Sequence, residues 1–131
     1  MTMSDSAIEA GIAPWLAVSD GARAVEYYKN AFGAVEAYRL DGDEGRIAVA
    51  QLQIGSATFW VQEDVEGSPQ SGGVHPIRII LTVDDPDALF ERAISAGAKQ
   101  VAPVHEEHGW RTGRITDPFG HDWELSKPGA S

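Results

Sequence analysis

Apolar residues recur along this chain with two periods, and each period predicts a kind of element. Residues 11–18 alternate, with Leu16 and Val18 on one face and Ala13, Trp15 and Ala17 on the other, which is a strand pattern. Pro14 suits the edge or the start of that strand. Asp20 is placed to cap a helix whose apolar stripe is Val25, Tyr28, Ala31 and Phe32, and Gly33 is a natural stop. Residues 35–40 and 46–54 read as strands around the polar turn 41–45, and residues 57–62 follow the Gly55-Ser56 turn as another strand. Residues 63–73 are rich in Glu, Gly, Ser and Pro and read as a linker.

The same series then runs again. Residues 76–83 form a β-branched strand, Asp85 caps a helix with Pro86 in its first turn, and Leu89, Phe90, Ala93 and Ile94 make the stripe before Gly97. Residues 101–104, 110–116 and 121–126 read as strands, with polar turns at 105–109 and 117–120. Val18-Ser19-Asp20 maps onto Val83-Asp84-Asp85 with a step of 65 residues (83 − 18), and Ile54-Gly55 maps onto Phe119-Gly120 with the same step (120 − 55). The predicted fold class is therefore α+β, two paired βαβββ modules spanning residues 11–62 and 76–128, joined by a linker at 63–75. Half a chain of this size cannot bury both faces of a sheet, so the halves must share one core or one cavity.

Strand alternation assigns the faces. With Leu16, Val18, Phe59, Val61, Ile79, Leu81, Trp123 and Leu125 turned to the helices, the opposite faces collect Trp15, Trp60, Gln62, Arg78 and Glu124. Ile115 on the core side puts Trp110, Thr112, Arg114 and Thr116 on that second face too, and Arg111 opposite them. Aromatic walls with a few polar groups are the makeup of a small-molecule cleft, and equally of a dimer surface. Arg114 is placed to pair with Glu124 or with an anionic ligand.

Composition narrows the function. The 131 residues suit one domain, and the absence of Cys removes disulfides, thiolate metal sites and a Cys nucleophile, in keeping with a cytoplasmic location. No apolar run is long enough to span a membrane, and residues 1–10 read as a flexible tail rather than a secretory leader. A net charge of −10 argues against nucleic acid as a partner. It serves solubility, and it also permits a cationic ligand.

Asp117-Pro118-Phe119-Gly120-His121-Asp122-Trp123-Glu124-Leu125 resembles the vicinal oxygen chelate superfamily, which holds glyoxalases, extradiol dioxygenases, fosfomycin-modifying enzymes and bleomycin-resistance proteins. The resemblance extends to Trp15-Leu16-Ala17-Val18-Ser19-Asp20, to Glu26-Tyr27-Tyr28 through Phe32-Gly33, to Ile80-Leu81-Thr82-Val83-Asp84-Asp85 and to Ala96-Gly97-Ala98. It implies paired βαβββ modules around a cupped sheet, and homodimers in which modules close within a chain or swap between chains. Metal-dependent members carry a ligand on each of four strands. Carried over, those positions fall on Ala13, Trp60 (with Gln62 the nearest polar side chain), Arg78 and Glu124. Only Glu124 matches, because a methyl group and an indole are not donors to a cation and a guanidinium stays protonated. His75 lies three residues before Arg78, on the opposite face by alternation unless Pro76 breaks it.

The remaining candidates are weaker. His105-Glu106-Glu107-His108 has the composition of a metal cluster but sits in a segment read as a solvated turn or a lid. His121, in a tight turn, reads as structural, bonding the turn backbone, and Tyr27 and Tyr28 as helix packing. Glu124 is the candidate catalytic residue: beside Arg78 or Arg114 it would be a poor base, and alone among tryptophans a better one.

The expectation is a glyoxalase-like and bleomycin-resistance-like protein, cytoplasmic and homodimeric, that binds a small planar or apolar molecule without a metal cofactor. Trp15, Trp60 and Trp110 would stack on the ligand, Arg78 and Arg114 would meet an acceptor or anion, Glu124 a donor or cation, and Gln62 would add a polar contact. Antibiotic sequestration is the family precedent. The alternative is an enzyme, either a lyase, isomerase or dioxygenase assisted by a divalent metal or a metal-free proton-transfer catalyst using Glu124. A third reading makes the apolar face an interface only.

Overall fold

The 65-residue repeat is the plan of the molecule. A computed structural model describes residues 11–69 and 77–129. Strand β1 (Trp15–Val18), helix α1 (Gly21–Phe32) and strands β2 (Val35–Asp41), β3 (Ile47–Ile54) and β4 (Ala57–Glu63) form the first module. Strand β5 (Arg78–Thr82), helix α2 (Pro86–Ala96) and strands β6 (Lys99–Glu107), β7 (Trp110–Thr116) and β8 (Asp122–Pro128) form the second. Gly21 opens α1 and Pro86 opens α2, again 65 residues apart (86 − 21). Each module is a four-stranded mixed sheet, ordered β1-β4-β3-β2 and β5-β8-β7-β6, in which the first strand runs parallel to the last.

Local chemistry sets the helix limits. Asp20 accepts a hydrogen bond from the Arg23 amide and Asp85 one from the Ala88 amide, each at 3.0 Å, satisfying first-turn donors that have no partner within the helix. Gly33 takes φ 70° and returns its amide to the Lys29 carbonyl, closing α1 in the left-handed conformation that favours glycine. Gly113 has a different role: a Cβ there would lie 2.9 Å from the Phe90 ring and 2.8 Å from Val104, so its bareness lets α2 settle onto β7.

The helix-side faces of both sheets meet in one core. Phe59 of β4 lies edge-on to Trp123 of β8, centroids 5.5 Å apart, and Phe32 of α1 packs on the same indole at 4.7 Å. Leu16, Val18, Val61, Leu81, Ile115 and Leu125 are buried with them, as alternation predicts. Polar contacts also cross between modules. Arg92 donates to the Asn30 and Lys29 carbonyls at the end of α1, where a cation is favoured.

Asp117 is the polar centre of this core. It is 3% exposed and accepts hydrogen bonds from the Tyr28 hydroxyl at 2.5 Å, the Trp123 indole at 2.9 Å and the Phe119 and His121 amides at 2.8 and 3.0 Å. Burial, then the Asp117 charge, pushes the Tyr28 phenol well above its ordinary value, so it stays a donor.

Several element limits differ from expectation. Strand β6 runs from Lys99 to Glu107, not over residues 101–104, and only His108 and Gly109, with φ 51° and 82°, make the turn. His105, Glu106 and Glu107 are therefore strand residues paired with Thr112, Arg111 and Trp110, not a solvated loop or lid. Strand β1 begins at Trp15, and β4 and β8 run on to Glu63 and Pro128. The expectations for residues 1–10 and for His75 and Pro76 lie outside the described residues.

Replacing Asp117 with Ala strands two buried side-chain donors, Tyr28 and Trp123. Each costs about 1–3 kcal/mol when left unsatisfied, so the expected loss of stability is about 2–6 kcal/mol, read from the urea midpoint. Asp117→Asn keeps one acceptor oxygen and falls between that variant and the parent.

Candidate functional site

The sheet faces turned away from the helices carry the residues predicted to bind a ligand. On the first sheet, parallel pairing sets Trp15 directly beside Trp60. Their rings stack with centroids 5.7 Å apart and planes inclined by 25°, and Tyr38 meets Trp60 edge-on at 6.0 Å. The Trp15 indole donates to Gln62 Oε1 at 2.9 Å, which orients the Gln62 amide. Trp15 is 53% exposed and Tyr38 47%, so this aromatic shelf is open. Sequence reasoning grouped Trp15, Trp60 and Gln62 and missed Tyr38. Register shifts between Glu36 and Tyr38 and between Leu40 and Asp41 spoil simple alternation on β2.

The second sheet carries the charged candidates. Arg78 Nε sits 3.0 Å from Glu124 Oε1, one of the two pairings foreseen for that carboxylate. Thr116 donates to Asp122 at 2.8 Å. Arg114 stands directly opposite Glu124 in the β7–β8 register but makes no ion pair with it, so of its two expected partners the Glu124 carboxylate is not the one it meets here. Thr112 faces Ser126 one step further along. The Thr112 and Ser126 hydroxyls and Arg114 Nε are all shielded and have no hydrogen-bond partner among the described residues. Trp110 shares their face by alternation and is 42% exposed.

The predicted ligand-binding residues thus form two groups on two sheets. Among the described residues no hydrogen bond, ion pair or ring contact joins Trp15, Trp60 and Gln62 to Arg78, Trp110, Arg114 and Glu124. A separate depression of about 380 Å³ lies between the helices and the Pro118–Phe119 turn, walled by Ala22, Arg23, Glu26, Tyr27 and Ala96. It contains none of the residues predicted for the site.

The other polar candidates have structural partners. His121 Nε2 bonds the Ala17 carbonyl at 2.8 Å, so its ring ties the second module to β1 instead of bonding its own turn. Arg111, on the helix side, forms a two-pronged pair with Asp87 at 2.6 Å, which holds the Asp87 carboxyl below its usual range. His105 is held at both nitrogens, by the Pro103 carbonyl at 2.8 Å and Glu107 at 2.9 Å. No group of three or more His, Cys, Asp or Glu residues is arranged to hold a metal ion among the described residues. Glu124, the one position where the resemblance implies a metal ligand, contacts Arg78.

Comparison with known proteins places this architecture. The model of the glyoxalase/bleomycin resistance protein/dioxygenase superfamily matches residues 10–125. The chain belongs to that superfamily. It is 40% identical over 129 residues to an uncharacterized protein of Mycobacterium bovis, covering 92% of this chain and 85% of that one. TioX from Micromonospora sp. ML1 superposes with a TM-score of 0.73 at 28% identity, over 92% of this chain and 99% of TioX. The fosfomycin resistance protein FosX from Mesorhizobium loti, 20% identical, shares the fold with a TM-score of 0.69 over 92% of this chain and 93% of FosX. No helix among the described residues is long and apolar enough to cross a membrane.

The Pro103 carbonyl and then Glu107 raise the His105 pKa above its ordinary value. A group raised on folding stabilises the fold fully at pH below the ordinary histidine value and loses that contribution as pH rises through the folded value. An NMR titration should therefore place His105 above an unstructured histidine, and Glu107→Gln should move it back down.

Proposed function

We propose that this superfamily member binds a small planar or apolar molecule against the Trp15–Trp60 shelf and does so without a metal. The observation that carries the reading is the stacked, half-open indole pair with Tyr38 at its edge and Gln62 tethered beside it. Aromatic side chains offer large contact area with few torsions to freeze, and a tethered amide adds direction. Trp110 on the second sheet is a further apolar contact, and a homodimer in the cytoplasm is the proposed setting. Antibiotic sequestration is the proposed role, after the bleomycin-resistance proteins that give the superfamily part of its description.

The donor chemistry supports the metal-free part. The four positions that hold metal in other members are Ala13, Trp60, Arg78 and Glu124 here, and the last two contact each other. One carboxylate engaged by a guanidinium does not fit a divalent cation, whose sites combine several anionic or imidazole ligands. Lyase, isomerase or dioxygenase chemistry that relies on a Lewis acid would lack its support in this donor set.

Titration with neutral planar probes such as naphthalene-2-carboxamide and quinoline should quench tryptophan fluorescence saturably. The bound probe should raise the melting temperature by mass action. Trp60→Ala should weaken binding at least about tenfold, a loss of about 1.4 kcal/mol, while a chelator leaves the affinity unchanged. An absence of saturable binding, or a Trp60→Ala variant that binds as well as the parent, would contradict the reading.

A further inference from the structure

The second sheet presents a cluster that nothing among the described residues satisfies. Thr112 on β7 and Ser126 on β8 are register partners, 8% and 1% exposed, and neither hydroxyl has a hydrogen-bond partner. Next to them Arg114 Nε is equally shielded and equally unpartnered. Buried polar groups are normally paired, so three such atoms on one patch of a sheet mark a place where an outside group is missing.

Charge points the same way. The chain carries twenty Asp and Glu against ten Lys and Arg, so carboxylates are plentiful. Arg39, Arg46, Arg78 and Arg111 each hold a carboxylate, Arg92 holds two carbonyls and Arg23 lies over the Phe119 ring. Arg114 has no such partner among the described residues. Glu124, directly opposite, is turned to Arg78, and Glu107, whose field Arg114 reaches, is bonded to His105. A guanidinium is permanently charged, and its forked donors match an oxyanion.

We infer that the Thr112–Arg114–Ser126 patch is an oxyanion subsite, so that the ligand of this protein is an organic anion. Arg114 pairs with the anion, the two hydroxyls donate to its oxygens, and Trp110, two residues before Thr112 on the same face, takes the planar body. Arg114 to Trp110 is four residues of strand, roughly 13 Å, the reach of a ligand with a fused aromatic body and an acidic group at one end. The subsite rests on the metal-free small-molecule binding proposed above and deepens it by naming the ligand class, with the planar body on Trp110 of the second sheet and not on the Trp15–Trp60 shelf. It selects the anionic of the two ligand charges that the sequence permits.

Three probes of one shape and different charge test it: naphthalene-2-carboxylate, naphthalene-2-carboxamide and naphthalen-2-ylmethylammonium, each titrated into the full chain by amide NMR. The carboxylate should bind at least about tenfold tighter than the other two and should shift the Thr112, Arg114 and Ser126 amides. Arg114→Gln should remove that preference, Arg114→Lys should restore part of it, and Ser126→Ala should reduce it. Equal affinity for all three probes, or a carboxylate preference that survives Arg114→Gln, overturns the subsite and leaves the small-molecule reading standing. Failure of all three probes to bind overturns both.

Discussion

The carboxylate of Asp117 is the group on which the arrangement of this molecule rests. A buried ionised oxygen pair is tolerated only when donors surround it, and here a phenol from the first module and an indole and two amides from the second do so. The Tyr28 hydroxyl reaches it across 89 residues of sequence. One acidic side chain therefore stabilises the tight turn before β8 and joins the two repeats. Tyr28, Phe32, Phe59, Phe119 and Trp123 pack around it, so the helix-side faces have one way to meet.

With the helix-side faces locked together, the opposite faces turn outward, and the two modules have diverged there. The first sheet offers stacked indoles and a tethered amide. The second offers a guanidinium-carboxylate pair and an unsatisfied cluster of two hydroxyls and a guanidinium. The two modules share a fold and differ in surface chemistry, so what each face can bind is set by its own side chains.

The fold was legible in the sequence because its signals are local and doubled. The caps at Asp20 and Asp85, the stop at Gly33 and the alternation through Leu16, Val18, Trp123 and Leu125 each predict one side chain's place, and the repeat checks one half against the other. Strand β6 was read short because His105, Glu106 and Glu107 are polar. They lie on an edge strand, where charge blunts unwanted pairing and costs little. Tyr38 was missed because the shifts in the β2–β3 register break the two-residue period. Asp117 was read only as a turn residue, since the Tyr28 hydroxyl that makes it a junction belongs to the other module. The stacking of Trp15 on Trp60 required the parallel register, which no alternation rule supplies.

The reading proposed for this superfamily member is that it holds its ligand through side chains alone. Elemental analysis tests it most directly, on protein purified without chelator or metal affinity resin and then gel-filtered after incubation with nickel, zinc, manganese and ferrous iron. The account predicts loosely held metal well below about one equivalent per chain, since Glu124 is a single carboxylate already facing Arg78. About one equivalent retained through gel filtration would contradict it and restore the Lewis-acid chemistry of the superfamily to this chain.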